Sequence, residues 1–236
     1  MNKKDINFFK KKISRREFIK YCIVGVATLS FGSYIVKKYL FNKKSIETTT
    51  ELWKWSKEAY HYIKFGDAVR CQLCPNRCLI KEGERSFCRV KTNKNGKLYT
   101  LAYGNPCAIH IDPIEKKPLF HFLPGTKAFS IATAGCNFRC LNCQNWTISQ
   151  FRPEDTKNYD LMPNQVVDNA LKYNCETIAY TYSEPVAFYE YMYDTAKLAS
   201  EHNIKNLWIT NGYINTKPLK DLCNYIDAAN VDLKSF

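Results

Sequence analysis

Apolar runs and helical segments alternate along the second half of this chain. Four runs rich in β-branched and aromatic residues read as strands, and three segments between them carry apolar residues at helical spacing. The predicted strands are 128–133, 177–182, 206–210 and 229–234, and the predicted helices are 163–174, 186–202 and 218–226. Strands that alternate with helices favour βαβ units with parallel strands. The predicted fold class is therefore α/β, with about four βα units.

Polar residues stand at the ends of the last three predicted strands. Glu184 follows the second strand, Asn211 follows the third, and Asp232 and Lys234 end the fourth. In barrels built of βα units, functional groups sit at the carboxyl ends of the strands. The sequence therefore predicts one pocket that these four side chains share.

Three cysteines follow the first predicted strand at the spacing C-x3-C-x2-C. They are Cys136, Cys140 and Cys143. Thiolates are soft ligands that hold iron–sulfur clusters. A four-iron cluster held by three cysteines keeps one iron free to bind a small molecule. A structural zinc knuckle is the alternative, but zinc requires a fourth ligand, and the next cysteine, Cys175, lies in the passage from a predicted helix to a strand.

A second group of cysteines precedes this region. Cys71, Cys74, Cys78 and Cys88 lie within eighteen residues, in a stretch turned by a proline and a glycine. They could hold zinc or a second iron–sulfur cluster, or form two disulfides in an exported protein. A metal is the favoured interpretation, because the other cysteine triad indicates reduced, cluster-bearing chemistry.

The first 44 residues predict a signal or anchor. They contain Ser14-Arg15-Arg16-Glu17-Phe18-Ile19-Lys20, then sixteen mostly apolar residues from Tyr21 to Val36, then two lysines. This resembles a twin-arginine translocation signal. A sixteen-residue helix spans only about 24 Å, short of a hydrocarbon core of about 30 Å. We expect membrane association through this segment, on the cytoplasmic face or after export, with 45–66 as a polar tether that has little fold of its own over 41–58.

The positive charge belongs mostly to that leader. Residues 1–44 hold 12 Lys or Arg against two acidic residues, so the rest of the chain holds 23 against 20. The body has no broad basic footprint for phosphates. Nucleic-acid binding is therefore not indicated.

Several blocks together resemble one enzyme group. The cysteine-rich lead-in is followed by D-P-I-E-K-K-P-L-x-H-F-x-P-G from Asp112 to Gly125, and then by the cysteine triad with a trailing Q-N-W. These motifs are similar to those of the AmmeMemoRadiSam-system enzymes of the radical S-adenosylmethionine (SAM) superfamily, which are related to pyruvate formate-lyase activating enzymes. The resemblance implies a partial TIM-type (β/α) barrel at 126–236, behind a cysteine-rich segment at 67–125. Since relatives continue for further βα units, the chain is expected to be truncated at its C-terminus.

The resemblance also implies roles for individual residues. The triad would hold a [4Fe–4S] cluster whose open iron binds SAM. Glu184 would accept the SAM amino group, although Tyr182 and Ser183 replace the two glycines of the family's G-G-E element. Asp232 would bind the ribose and Lys234 the SAM carboxylate. Two positions are matched more loosely: Asn211 stands at the tip of the third strand, and Asn142 replaces an aromatic residue that flanks the adenine.

The function implied is reductive cleavage of SAM to a 5′-deoxyadenosyl radical that abstracts hydrogen from a substrate. The partners implied are an external electron donor of the ferredoxin or flavodoxin type and an unknown substrate, conceivably a protein to be activated. Two alternatives remain open at this point, a membrane-tethered iron–sulfur electron carrier and an inactive fragment. The carrier explains the leader and both cysteine groups but not Glu184, Asp232 and Lys234.

Overall fold

A computed structural model describes residues 52–234 of the chain. The leader predicted at 1–44 lies outside the described residues. Within 52–234 no helix combines the length and the apolar character that crossing a membrane requires.

Two small antiparallel sheets form the first part of the described chain. Their strands are β1 (Lys57–Glu58), β2 (Tyr62–Phe65), β3 (Ala68–Cys71), β4 (Leu79–Ile80), β5 (Lys91–Lys94) and β6 (Lys97–Thr100). One sheet has the order β1-β6-β5 and the other β2-β3-β4. The β5–β6 hairpin turns through Asn95 and Gly96, which both have positive φ. Asn-Gly is the pair that a two-residue hairpin turn of this kind prefers.

These sheets occupy part of the segment predicted as a tether. Strands β1 and β2 lie inside 45–66, and Ala59 between them is buried. The pairing partner of β1 is β6, about forty residues away, with Lys57 opposite Thr100. A composition reading of 45–66 cannot detect a partner at that distance, and the tether prediction therefore missed both strands.

A five-stranded sheet forms the second part. Its strands are β7 (Ala108–Pro113), β8 (Lys127–Ala132), β9 (Thr177–Tyr180), β10 (Lys205–Thr210) and β11 (Ala228–Val231), in the order β11-β10-β9-β8-β7. Strands β8 to β11 are parallel, as the βαβ pattern predicts. Strand β7 pairs antiparallel with β8. The predicted boundary at residue 125 therefore separates β7 from the sheet to which it is hydrogen-bonded.

Four α-helices lie within the described residues, and the last three connect or follow the parallel strands. They are α1 (Trp146–Ser149), α2 (Pro163–Lys172), α3 (Tyr189–Glu201) and α4 (Thr216–Cys223). Met192, Ala196 and Ala199 on α3 are fully buried and recur at helical spacing, so they form the face turned to the core. The α/β class with a parallel sheet is confirmed.

Helix α3 begins three residues later than the sequence predicts. Residues 184–188 instead form turns, in which Ala187 N donates to Glu184 O at 2.9 Å and Phe188 N donates to Pro185 O at 3.1 Å. The chain therefore reverses direction at the end of β9 before the helix starts. This turn fixes Glu184 at the carboxyl edge of the sheet.

Candidate metal and SAM site

A cavity of about 710 Å³ opens at the carboxyl ends of the parallel strands. It is lined by residues that follow β8, β9, β10 and β11. All eight side chains predicted for the cluster and SAM contact it: Cys136, Cys140, Asn142, Cys143, Glu184, Asn211, Asp232 and Lys234. The structure thus brings together residues that lie almost a hundred positions apart.

The cysteine loop begins with a glycine that the fold requires. Gly135 has φ +98°, and a Cβ there would meet the Val90 side chain and lie 2.7 Å from Cys88 O. Gly135 N also donates to Ile148 O of α1 at 3.0 Å. After β8 the chain therefore passes closely between the Cys88–Val90 segment and α1. Cys136 follows directly after Gly135.

The three thiols differ in their immediate contacts but face one cavity. Phe138 N donates to Cys136 Sγ at 3.3 Å, and Cys143 Sγ lies 3.1 Å from Ser149 Oγ of α1. Burial raises the pKa of the Cys136 thiol to about 12. A thiolate at this position therefore needs a bound cation at neutral pH.

The donor set fits a cluster better than a single ion. A closed zinc site needs a fourth ligand, whereas three thiolates can hold a four-iron cluster that keeps one iron open. Cys175 is buried just before β9, at the end of that strand remote from the cavity, so it does not supply a fourth thiolate.

Glu184 is a buried carboxylate with several protein donors. Thr210 Oγ1 donates to its Oε1 at 2.6 Å, Val186 N donates to Oε1 at 3.1 Å, and Asn211 N donates to Oε2 at 2.9 Å. Burial raises the pKa of Glu184 to about 6, against these hydrogen bonds and the charge of Lys234. A carboxylate offers about four acceptor positions. Oε2 therefore retains acceptor capacity for a ligand in the cavity.

Asn211 is tied to the cysteine loop. Its Nδ2 donates to Asn137 Oδ1 at 2.8 Å, and its own Oδ1 accepts from Tyr213 N at 2.9 Å. Asn137 directly follows Cys136 and is only 2% exposed. The tip of β10 is thereby fixed against the loop that carries the first thiol. Sequence reasoning missed Asn137, since no local pattern marks its distant partner.

Asp232 and Lys234 lie at the edge of the cavity and pair with each other. Lys234 Nζ is 3.0 Å from Asp232 Oδ2, and both side chains are 41% exposed. Asn230 Nδ2 also donates to Asp232 Oδ1 at 2.6 Å. The pair is open to solvent and can exchange its mutual contact for a ligand's hydroxyl and carboxylate groups at little free-energy cost.

The loop after β7 contributes a buried charged group. From their charged composition alone, residues 112–117 are predicted to form a solvated surface loop. Instead, Lys117 Nζ lies 2.5 Å from Asp112 Oδ2, and the two side chains are 1% and 5% exposed. Tyr182 donates its hydroxyl to the same carboxylate. The Asp112–Lys117 pair thus anchors the tyrosine that precedes Ser183 and Glu184.

Tyr182 adopts a backbone conformation that favours glycine. Its φ is +62°, and a non-glycine residue there costs about 1–3 kcal/mol. Asn145 Nδ2, from the Q-N-W motif, donates to Tyr182 O at 2.7 Å. The hydroxyl and carbonyl contacts hold Tyr182 in this conformation.

The four N-terminal cysteines of the second predicted group line another, much smaller pocket. Cys71, Cys74, Cys78 and Cys88 surround a space of about 10 Å³, together with Lys91 and Asn137. All ten cysteines of the described residues are free thiols. The structure thus places the four thiols together and contains no disulfide among the described residues.

Comparison with known proteins shows what the second part of the chain is similar to. Residues 130–236 match the family model of the radical SAM superfamily. Uncharacterized protein MJ0808 of Methanocaldococcus jannaschii is 54% identical over 179 residues, which are 75% of this chain and 53% of that protein. Uncharacterized protein MJ0674 of the same organism is 28% identical over 174 residues, 70% of this chain and 45% of that protein. The chain spans about half the length of these curated relatives.

Proposed function

We propose, from the match of residues 130–236 to the radical SAM family model, that this chain is part of an enzyme that cleaves SAM reductively. The observation that carries the proposal is the shared cavity. Three thiols and four polar strand-end side chains line one space of about 710 Å³. That combination suits a cofactor with both a metal-binding end and a polar nucleoside end.

The donor set suits a [4Fe–4S] cluster on Cys136, Cys140 and Cys143. When bound there, such a cluster would supply one electron to the sulfonium of SAM, which would give methionine and a 5′-deoxyadenosyl radical able to take hydrogen from a substrate. The role of the protein is to bind, orient and shield. Its contribution comes from residues already fixed by their neighbours, as the contacts of Glu184 and Asn211 show.

Glu184 is proposed to receive the amino group of SAM. Its carboxylate is buried and oriented by three donors, and a carboxylate–ammonium contact is a strong, charge-assisted hydrogen bond. Asp232 is proposed to accept the ribose hydroxyls and Lys234 to bind the SAM carboxylate. Asn142 lines the same cavity, where its backbone would flank the adenine.

The wider assignments remain proposals about the whole protein. We infer an external donor of the ferredoxin or flavodoxin type and an unknown substrate, for which a protein is one candidate, as for glycyl-radical activating enzymes. The AmmeMemoRadiSam assignment also stays a prediction. We expect the four N-terminal cysteines to hold a second centre, zinc or iron–sulfur, that takes no direct part in SAM cleavage.

The leader is proposed to associate the protein with the membrane. The support is its twin-arginine-like motif and apolar run at residues 14–36. Fractionation of cells expressing the full chain, followed by protease treatment of intact and opened vesicles, tests the proposal and its side. Recovery of all the native protein in the soluble fraction would contradict it.

The enzyme proposal is tested by product release. The full-length gene product is reconstituted anaerobically with iron and sulfide, reduced with dithionite and supplied with SAM, and 5′-deoxyadenosine is measured by chromatography. We expect release from the native protein and none from C136A/C140A/C143A. The matched control is C223A, which removes an exposed thiol outside both pockets. Absence of product from reconstituted native protein would refute the proposal.

A spectroscopic titration separates the enzyme from an electron carrier. The EPR signal of the reduced cluster is expected to shift when SAM is added, because SAM binds the iron that lacks a protein ligand. A carrier would keep the same signal at every SAM concentration.

A further inference from the structure

We propose that the four N-terminal cysteines bind one zinc ion. This ion holds the β3–β4 hairpin, which carries Cys71, Cys74 and Cys78, against the loop that carries Cys136. The four thiols come from β3, the β3–β4 turn and the loop before β5, and they line one small pocket. Four thiolates complete the tetrahedral shell of zinc and leave no open position. This site differs in kind from the triad, where three thiols face a large cavity.

Two sulfurs of this pocket have polar partners. Phe87 N donates to Cys78 Sγ at 3.4 Å, and Ser86 Oγ lies 3.1 Å from Cys88 Sγ. Cys71 and Cys74 line the same pocket and are the more deeply placed pair, and burial raises the pKa of both thiols. Donors such as Phe87 N stabilise thiolates and orient metal ligands. Buried thiols that only packed as small hydrophobic groups would not need them.

The size of the pocket favours one ion over a cluster. Its space of about 10 Å³ is close to what a single water molecule needs, whereas a four-iron core is several times larger. As the side chains stand, the thiols do not converge on one point. Rotation about χ1 moves a cysteine sulfur between staggered positions without moving the backbone. Room for a cluster would instead require Leu73, Val186 and Ala187 to move, and these walls are buried and tightly packed.

A buried cation offsets the charge of such a site. Four thiolates and one zinc ion carry a net charge of minus two. The ammonium of Lys91 lines the pocket, and its side chain is 1% exposed. Its contact with Glu190 at 2.6 Å anchors it to α3. The ammonium thus lies beside the thiols and offsets part of the charge of an anionic metal complex there, while it shares its charge with Glu190.

Asn137 connects this pocket to the larger cavity. Its side chain lines the pocket beside Cys74, and its carbonyl oxygen accepts from Asn76 Nδ2 at 3.1 Å. From its other side it receives the amide of Asn211 at 2.8 Å. An ion that fixes the β3–β4 hairpin would therefore also restrain Asn137, the residue next to Cys136. Zinc is expected to support the SAM site without touching SAM.

The test separates this centre from the proposed radical chemistry. Metal content is measured on anaerobically purified full-length C136A/C140A/C143A, which lacks the cluster ligands. We expect about one zinc ion per chain. Replacing zinc by Co²⁺ should give the absorption of a tetrahedral thiolate site. The control C175S/C223S should keep its zinc. Four or more irons per chain in the triple variant, or no zinc and no cobalt–thiolate absorption, would overturn the proposal, whatever the outcome for SAM.

Two further measurements guard against simple misfolding. S86A removes one partner of Cys88 in a variant that is expected to fold, and its zinc affinity should fall about 10-fold or more. Amide hydrogen exchange in the triple variant should slow at residues 134–139 when zinc is added, since the ion restrains Asn137. Unchanged affinity in S86A would contradict the role of that contact, and unchanged exchange would contradict the link to the cluster loop.

Discussion

Replacing Lys91 by methionine removes one charge of a fully buried ion pair. Lys91 Nζ lies 2.6 Å from Glu190 Oε2, and both side chains are 1% exposed. In K91M the Glu190 carboxylate keeps only the backbone N–H of Tyr60, at 3.3 Å. Loss of one partner from a buried pair destabilises a protein by about 3–5 kcal/mol, because the other charge stays buried and uncompensated. With a urea m-value of about 2 kcal/mol/M, the unfolding midpoint should fall by roughly 2 M.

The assay is urea unfolding of the anaerobically purified full chain, followed by circular dichroism. K97M is the matched control, because Lys97 pairs with Glu58 on the same small sheet while both side chains are about half exposed. That surface pair should contribute less than about 1 kcal/mol. The double variant K91M/E190L should recover much of the loss, since it removes the uncompensated charge. Equal midpoints for K91M and K97M, or a double variant no more stable than K91M, would refute the reasoning.

Three further outcomes are expected. G135A should lower both the urea midpoint and the iron content, because φ at this position is +98° and a Cβ would lie 2.7 Å from Cys88 O. The control G83A has φ +73° and open space around it, so it should cost only about 1–3 kcal/mol of backbone strain and keep its iron. Affinity for SAM, measured by EPR titration, should weaken as the pH falls through about 6, the pKa of Glu184, because the protonated carboxyl cannot pair with the ammonium. E184Q should bind SAM about tenfold or more weakly, with no such pH dependence. A native SAM affinity that is constant between pH 5 and 7 would count against this role of Glu184. D232N should change stability by less than about 1 kcal/mol while SAM affinity falls several-fold, and equal affinity would remove Asp232 from the site.

Local patterns were sufficient for the parallel part of the fold. Strands β8, β9 and β10 and the helices after them follow apolar periodicity, which does not need distant partners to be recognised. The location of Glu184 and Asn211 at one cavity follows from that alternation, because parallel strands bring their carboxyl ends to one edge. The main sheet and most of the site were therefore accessible from the sequence.

The roles of residues that depend on long-range partners could not be predicted from the sequence. Asp112 and Lys117 sit in a charged stretch whose composition is typical of solvated loops, and their buried pair is completed by the hydroxyl of Tyr182, seventy positions away from Asp112. Asn137 likewise has its partners at Asn76 and Asn211. Strand β1 is too short to show any periodicity. In each case the free energy comes from a contact that no window of neighbouring residues contains.

The pairing of β1 with β6 has a consequence for the order of assembly. Lys57 lies opposite Thr100, so the chain between them forms a closed segment that contains all four thiols of the small pocket. Every strand of these two sheets is complete before the first parallel strand leaves the ribosome, and hairpins with near neighbours in the chain form fast. The four cysteines that line the small pocket are therefore translated before the residues that line the larger cavity, so that the early sheets can serve as the surface on which the later sheet is built.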